Sequence, residues 1–300
     1  MNDVVKVHWC YIENFGDALN PYLISKLSGK KVAYRGFERP NFLKETKLII
    51  KSILKNKTYD FNRLRGYNEN EDVVLGIGSL LNRSRKNFRV WGTGYMNWHE
   101  RAQGGTLHAV RGRFSAEKLA KEGFEYCSVW GDPAILLPLV YPLKSPSKKY
   151  ELGIIPHLKD FDFFSNKYHQ NNNVHIINLN TTDIESVLNQ MVMCERIIST
   201  SLHGVIVGHA YKIPTLWIKH NDIDTDGLKF DDYFDSVKIE PYDGFDNFDE
   251  IIKEPYEFFI ERKNLILPNN DLREMQRNLL EVAPFTILPE FLNPGGRDEK

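Results

Sequence analysis

The chain has little cysteine, almost no net charge and no long apolar run, and each shortage excludes a class of protein. Its three cysteines, Cys10, Cys127 and Cys194, lie far apart and form no Cys-x-x-Cys pair. That excludes a disulfide framework and a cysteine-ligated zinc site, and it fits reduced thiols in a cytoplasmic protein. No apolar segment approaches the roughly 20 residues that a spanning helix needs. Residues 1–8 lack a basic leader followed by an apolar stretch, so they do not read as a signal peptide. The formal net charge is −1 at pH 7, which gives no electrostatic case for a nucleic-acid partner. No internal repeat stands out. What remains is a soluble globular chain of 300 residues, long enough for one large domain or two ordinary ones.

Its pattern is α/β. Residues 4–11 read as a buried strand, followed by Glu13-Asn14-Phe15-Gly16-Asp17 and a helix over 18–27 that stops at Gly29. Strands over 72–75 and 88–91 run into Gly76-Ile77-Gly78-Ser79 and Gly92-Thr93-Gly94. The third glycine of a dinucleotide fingerprint is missing. Strand ends of this type predict a parallel sheet whose loops converge on one crevice. Residues 141–149, rich in Pro, Ser and Lys, form the best linker. Beyond it a second series has strands near 150–156, 174–178, 196–199, 214–218 and 237–239, with helices near 161–168, 183–193 and 205–210. Two lobes are therefore predicted, 1–142 and 150–300, each Rossmann-like with a mostly parallel sheet. Helices over 254–262 and 272–282 would pack back across them, and 293–300 reads as a tail.

The stretch with most chemical promise is Ser199-Thr200-Ser201-Leu202-His203-Gly204, where a strand passes through three hydroxyl residues into an apolar helix. A helix start offers unpaired N–H groups to an anion, and Gly204 would let a ligand approach the backbone. His203 is the acid–base candidate there, against the plainer reading of a histidine bonded to a neighbouring loop. Arg111, at the end of a strand in Val110-Arg111-Gly112-Arg113-Phe114-Ser115, can grip a carboxylate or phosphate in fork geometry or make an ordinary ion pair. Ser115 reads as a helix N-cap, and Asp17 reads as a cap of the first helix, a task that would not exclude a second. Residues 41–57 predict a helix with Leu43, Ile50, Ile53 and Leu54 on one side. Lys44, Lys47, Lys51, Lys55 and Lys57 surround it, and Arg63 and Arg65 follow. It is either a solvated surface helix or an interfacial one drawn to anionic lipid. The acidic run 222–227 opens like a calcium loop but has Tyr233 at the closing position, so a solvated acidic surface extending through 231–250 is preferred.

Four patches in order resemble the polysaccharide pyruvyl transferases. They are Asn-x-Gly-Asp after the first strand, Val-Arg-Gly-x-x-Ser, then Trp130-Gly131-Asp132-Pro133, and Ser199-Thr200-Ser201-Leu202-His203-Gly204 before an apolar helix and the strand of Thr215-Leu216-Trp217. The resemblance implies a GT-B-like fold with the active site in the inter-lobe cleft. It implies phosphoenolpyruvate as donor and a sugar or lipid-linked oligosaccharide as acceptor, in a cell-surface or exopolysaccharide pathway. On this reading His203 and Asp17 are catalytic, and Arg111 binds phosphoenolpyruvate. Asp17, Asn14 and Gly16 lie on the acceptor side, while Ser199, Thr200, Ser201 and Gly204 complete the anion pocket. No metal or cofactor is implied. The location is cytoplasmic, with a peripheral contact at the inner face of the plasma membrane if 41–57 is interfacial. One departure matters: many relatives carry Arg where this chain has Ser201, and Arg113 or Lys219 would have to supply that cation. The competing readings are a GT-B glycosyltransferase using a nucleotide-sugar and a non-catalytic glycan-binding protein.

Overall fold

A computed structural model of the protein describes residues 4–38, 40–59, 61–64, 67–143, 147–220 and 225–292. Arg65, the centre of the 141–149 linker, the start of the acidic run and the tail 293–300 lie outside the described residues, as does the side chain of Arg63.

The first half alternates strands and helices: β1 (Val4–His8), α1 (Phe15–Ser28), β2 (Lys31–Tyr34), α2 (Phe42–Leu54), β3 (Val73–Leu75), β4 (Phe88–Trp91), β5 (Thr106–Ala109), α3 (Arg113–Lys121) and the short α4 (Leu137–Val140). The second half holds β6 (Tyr150–Ile155), α5 (Phe161–Tyr168), β7 (Val174–Ile176), α6 (Ile184–Val192), β8 (Cys194–Ser199), α7 (Leu202–Ala210) and β9 (Thr215–Trp217). Helices α8 (Leu228–Ser236), α9 (Phe248–Lys253), α10 (Pro255–Glu261), α11 (Leu272–Glu281) and α12 (Pro289–Leu292) complete it. The strands form two sheets of order β2-β1-β3-β4-β5 and β7-β6-β8-β9, parallel throughout. The protein is thus α/β with two Rossmann-like lobes. Among the described residues no helix is long and apolar enough to cross a membrane.

Each sheet reverses its strand order once, between β1 and β3 and between β6 and β8. Loops leaving the carboxyl ends of strands that flank such a reversal diverge and open a crevice, the usual ligand position in open α/β sheets. The Asn14–Asp17 turn follows β1 and the Gly76–Ser79 loop follows β3. In the other lobe His157 follows β6 and the Ser199–His203 turn ends β8.

Four expectations fail in detail. Residues 237–239 are no strand: they follow α8, with Lys238 in a left-handed turn at φ 59°. Ser115 lies inside α3, whose N-cap is Gly112, and Asn14 rather than Asp17 caps α1 by accepting the Gly16 N–H at 2.8 Å. The run 231–250 is not uniformly a solvated surface. Leu228, Phe230, Tyr233 and Phe234 of α8 are fully buried, and so is Asp232. Alternating acidic and aromatic residues look solvated when counted, but on a 3.6-residue turn the aromatics share one face. Helix α8 packs on α3 of the first lobe, and α11 reaches the first sheet through Trp91 Nε1, which donates to the Leu279 carbonyl at 2.9 Å.

Candidate functional site

The turn of residues 14–17 is built by β1 entering α1. Asn14 caps the helix, and the Phe15 N–H donates across to the Leu179 carbonyl of the second lobe at 2.9 Å. Gly16 then faces His203. A Cβ at Gly16 would lie 2.2 Å from His203 Nδ1, closer than real side chains pack. Asp17 turns back toward β1, where its Oδ1 accepts the Cys10 N–H at 3.2 Å. Burial pushes its carboxyl up to about 6, against the opposing pull of that bond and of the Arg83 charge. Arg83 also donates to Cys10 Sγ at 2.8 Å, so a cation stands beside this turn.

On the facing side, Ser199, Thr200 and Ser201 divide their work. The Ser199 hydroxyl is fully buried between the Ile155 and Ser201 carbonyls and accepts the Ser201 N–H at 3.0 Å. Thr200 donates to Asp160 at 2.7 Å and accepts the His157 N–H at 2.6 Å. Both hydroxyls are thereby committed to shaping the turn. Ser201 stands at the N-cap of α7 with extended backbone and makes no side-chain cap of its own to the first N–H groups of the helix. Gly204 serves packing: a Cβ there would lie 2.3 Å from Ser199 Oγ and 2.8 Å from Ile155 Cγ2. Only glycine lets α7 start this close to the sheet.

His203 Nε2 is sealed from solvent and finds no hydrogen-bond partner among the described residues. Burial, then the charges of Lys229, Arg111 and His157, push its imidazole down to about 3. The ring is neutral at physiological pH, with a polar atom unsatisfied. An unpaired buried nitrogen costs roughly 1–3 kcal/mol, a price commonly tolerated where a ligand completes the bond.

Arg111 is fully buried and already engaged. Its Nε donates to Asp232 Oδ2 at 3.2 Å, its Nη1 to Ser79 Oγ at 2.8 Å and its Nη2 to the Tyr95 carbonyl. Asp232 also accepts the Ser115 N–H and hydroxyl, so an α8 carboxylate positions the guanidinium. Gly94 makes room for the group, since a Cβ there would lie 2.4 Å from Nη2. The two cations suggested for the position lost at Ser201 are held elsewhere: Arg113 pairs with Asp235 and Glu117, and Lys219 pairs with Asp243. Lys229 is the cation that the sequence did not reveal. It is buried in α8, with its amine 5.2 Å from the Phe230 ring centre, and its charge is the largest acting on His203. Nothing short of the fold of α8 connects residue 229 with residue 203. A surface pocket of about 420 Å³ lined by Lys6, Glu71, Arg89 and Phe285 opens at the opposite, amino end of the first sheet, away from these residues.

The model of the polysaccharide pyruvyl transferase family matches residues 14–222, most of the chain and all four sequence patches. The chain belongs to the polysaccharide pyruvyl transferase family. The match begins at the Asn14 cap and ends short of α8, so Lys229 and Asp232 lie outside it. An uncharacterized protein of Acanthamoeba polyphaga mimivirus is 31% identical over 173 residues, which are 55% of this chain and 60% of that protein. The chain therefore spans less than two thirds of that relative. No solved structure matches. Within this pyruvyl transferase family member, the structure brings Asn14, Gly16 and His203 together, and it sets Ser199, Thr200 and Gly204 to structural tasks. Arg111 stays within electrostatic reach of His203 but is paired.

Proposed function

We propose that this chain transfers the pyruvyl group of phosphoenolpyruvate to two hydroxyls of a sugar in a lipid-linked cell-surface glycan, forming a pyruvate ketal and releasing phosphate. The observation that carries this reading is the approach of the Gly16 turn to His203, beneath the charges of Lys229 and Arg111. On this reading an anion-attracting field would act on two groups able to exchange protons, His203 and Asp17.

The reaction needs one proton delivered to the vinyl carbon and two removed from sugar hydroxyls. The first hydroxyl oxygen bonds to C2 of the donor as C3 takes up a proton and becomes methyl. Phosphate then leaves with the C2–O bond pair, the second hydroxyl oxygen takes its place, and the last proton ends on phosphate or solvent. Asp17, with its carboxyl raised to about 6, is matched to accepting a hydroxyl proton near neutral pH. His203 is neutral in the empty site, so donor binding has to raise its pKa before it can act as acid; a carboxylate and a phosphate beside the ring do that by charge. Lys229, Arg111 and the start of α7 would hold those anionic groups. A phosphoenolpyruvate donor also suits a cytoplasmic location.

The test is a melting curve with phosphoenolpyruvate, pyruvate and a set of nucleotide-sugars, paired with phosphate release in the presence of candidate glycan acceptors. A ligand at about 100 times its dissociation constant adds roughly 2.7 kcal/mol of stability. Stabilisation by phosphoenolpyruvate and acceptor-dependent phosphate release are expected. Stabilisation by a nucleotide-sugar in its place would overturn the proposal in favour of a glycosyltransferase.

A further inference from the structure

Helix α2 shows most of its apolar residues to solvent. Its buried and half-buried side is Glu45, Leu48, Ile49 and Ser52, with the Glu45 carboxylate accepting a 2.5 Å hydrogen bond from Tyr59. Five of its apolar residues face outward: Phe42 is 70% exposed, Leu43 80%, Ile50 53%, Ile53 69% and Leu54 81%. At 100° per residue these five fall within an arc of about 120°. Lys47, Lys51 and Lys44 occupy the adjoining arc and are exposed. A surface helix normally buries its apolar stripe and shows its charged one. Here both stripes are in solvent, side by side, and Phe61, 65% exposed, lies just beyond the helix.

We infer that this face of α2 docks on an anionic lipid surface, with the five apolar side chains entering the headgroup boundary and the lysine strip lying against negative headgroups. A helix lying in the plane of a membrane interface needs this juxtaposition of an apolar arc with basic residues at its border. The lysine strip decides among occupants. A second copy of the chain packed face to face about a two-fold axis would bring two lysine strips toward each other, and an uncharged apolar partner would leave them unmatched. Anionic lipid satisfies both stripes.

The placement also bears on the acceptor. Lys57, just past α2, forms an ion pair with Glu13 at 2.7 Å, and Glu13 immediately precedes the Asn14 cap. Docking through α2 would hold the acceptor side of the site beside the membrane, where a lipid-linked sugar is presented. This last link rests on the proposed transfer reaction, whereas docking itself does not.

The test is sedimentation of the full chain with phosphatidylcholine vesicles and with vesicles containing about 30% phosphatidylglycerol. Binding to the anionic vesicles alone is expected, weakened by salt because headgroup attraction is screened. Leu43→Ser with Leu54→Ser should weaken it at least tenfold, and each of Lys47→Glu and Lys51→Glu about fivefold or more. All four positions are exposed, so folding is not at stake. No binding to anionic vesicles, or binding indifferent to these substitutions, would overturn the inference. So would a concentration-dependent dimer abolished by Leu43→Ser with Leu54→Ser, since the face would then be covered by a second copy. Vesicle binding uses no substrate, so its failure leaves the pyruvyl transfer reading standing, and failed transfer leaves the docking result intact.

Discussion

The first turn of α1 is packed directly on the imidazole of the opposite lobe: a Cβ at Gly16 would stand 2.2 Å from Nδ1 of His203. The two residues are far apart in the chain, and their contact holds the Asn14–Asp17 turn against the carboxyl end of the second sheet. Gly16→Ala should therefore act on the site more than on the fold. Alanine raises helix propensity by about 1 kcal/mol, which partly offsets the clash. The ring, however, has to move by an ångström or more, and a misplacement of that size can cost about 100-fold in rate. Steady-state kinetics together with a melting curve distinguish this outcome from simple unfolding.

His203 makes the protein sensitive to acid. The unfolded chain binds a proton at the imidazole near the usual pKa of about 6.5, while the folded chain resists until about 3. Stability falls as pH drops through this window, because the unfolded state binds more protons there. His8 and His209, pushed down to about 4 by burial, contribute in the same direction. In urea titrations the parent should lose about 3 kcal/mol more than His203→Gln between pH 7 and pH 4.

Asp17 has the opposite sign. Its folded pKa of about 6 lies above the unfolded value, so the charged carboxylate is a cost above pH 6 that disappears as pH falls toward 4. Asp17→Asn should be more stable than the parent by about 1–3 kcal/mol at pH 8 and equal to it near pH 4. It should also be inactive and lack the limb of the pH–rate profile near 6. A variant both more stable and inactive would separate a catalytic carboxylate from a structural one.

Arg111 and Asp232 form a buried pair with both side chains fully shielded. Asp232→Ala leaves the guanidinium uncompensated and should cost about 3–5 kcal/mol in urea unfolding. Arg111→Ala strands the carboxylate in the same way and is a poor probe of donor binding. Arg111→Lys keeps the charge while losing the fork, and should weaken phosphoenolpyruvate binding with a smaller loss of stability.

Lys229→Met tests the buried cation whose charge reaches His203. Removing its charge should move the His203 titration toward 6.5, read by imidazole NMR, and weaken phosphoenolpyruvate about tenfold or more. Lys219→Met, whose amine is paired with Asp243 at the surface, should change neither.

Much of this architecture was legible in the order of residues. Alternating apolar strands and capped helices predicted two parallel sheets, and the patches at residues 14–17, 111–115, 130–133 and 199–204 pointed to the family whose model matches the chain. The helix over 41–57 was also legible, because its period is a local property. The helix α8 was not. Its acidic residues dominate a composition count, and its buried face is recognisable only once α3 is there to cover it. The committed hydroxyls of Ser199 and Thr200 escaped for the same reason, since their partners Ile155 and Asp160 come from the neighbouring strand and the loop beyond it.

Local periodicity and turn chemistry act over a few residues, so the sequence by itself determined most of the strands and helices, the motifs and the family. Charges and hydrogen bonds act across space between residues distant in the chain. Only the tertiary structure could pair Arg111 with Asp232, bring Lys229 toward His203, close Gly16 on its ring and leave the apolar stripe of α2 facing solvent.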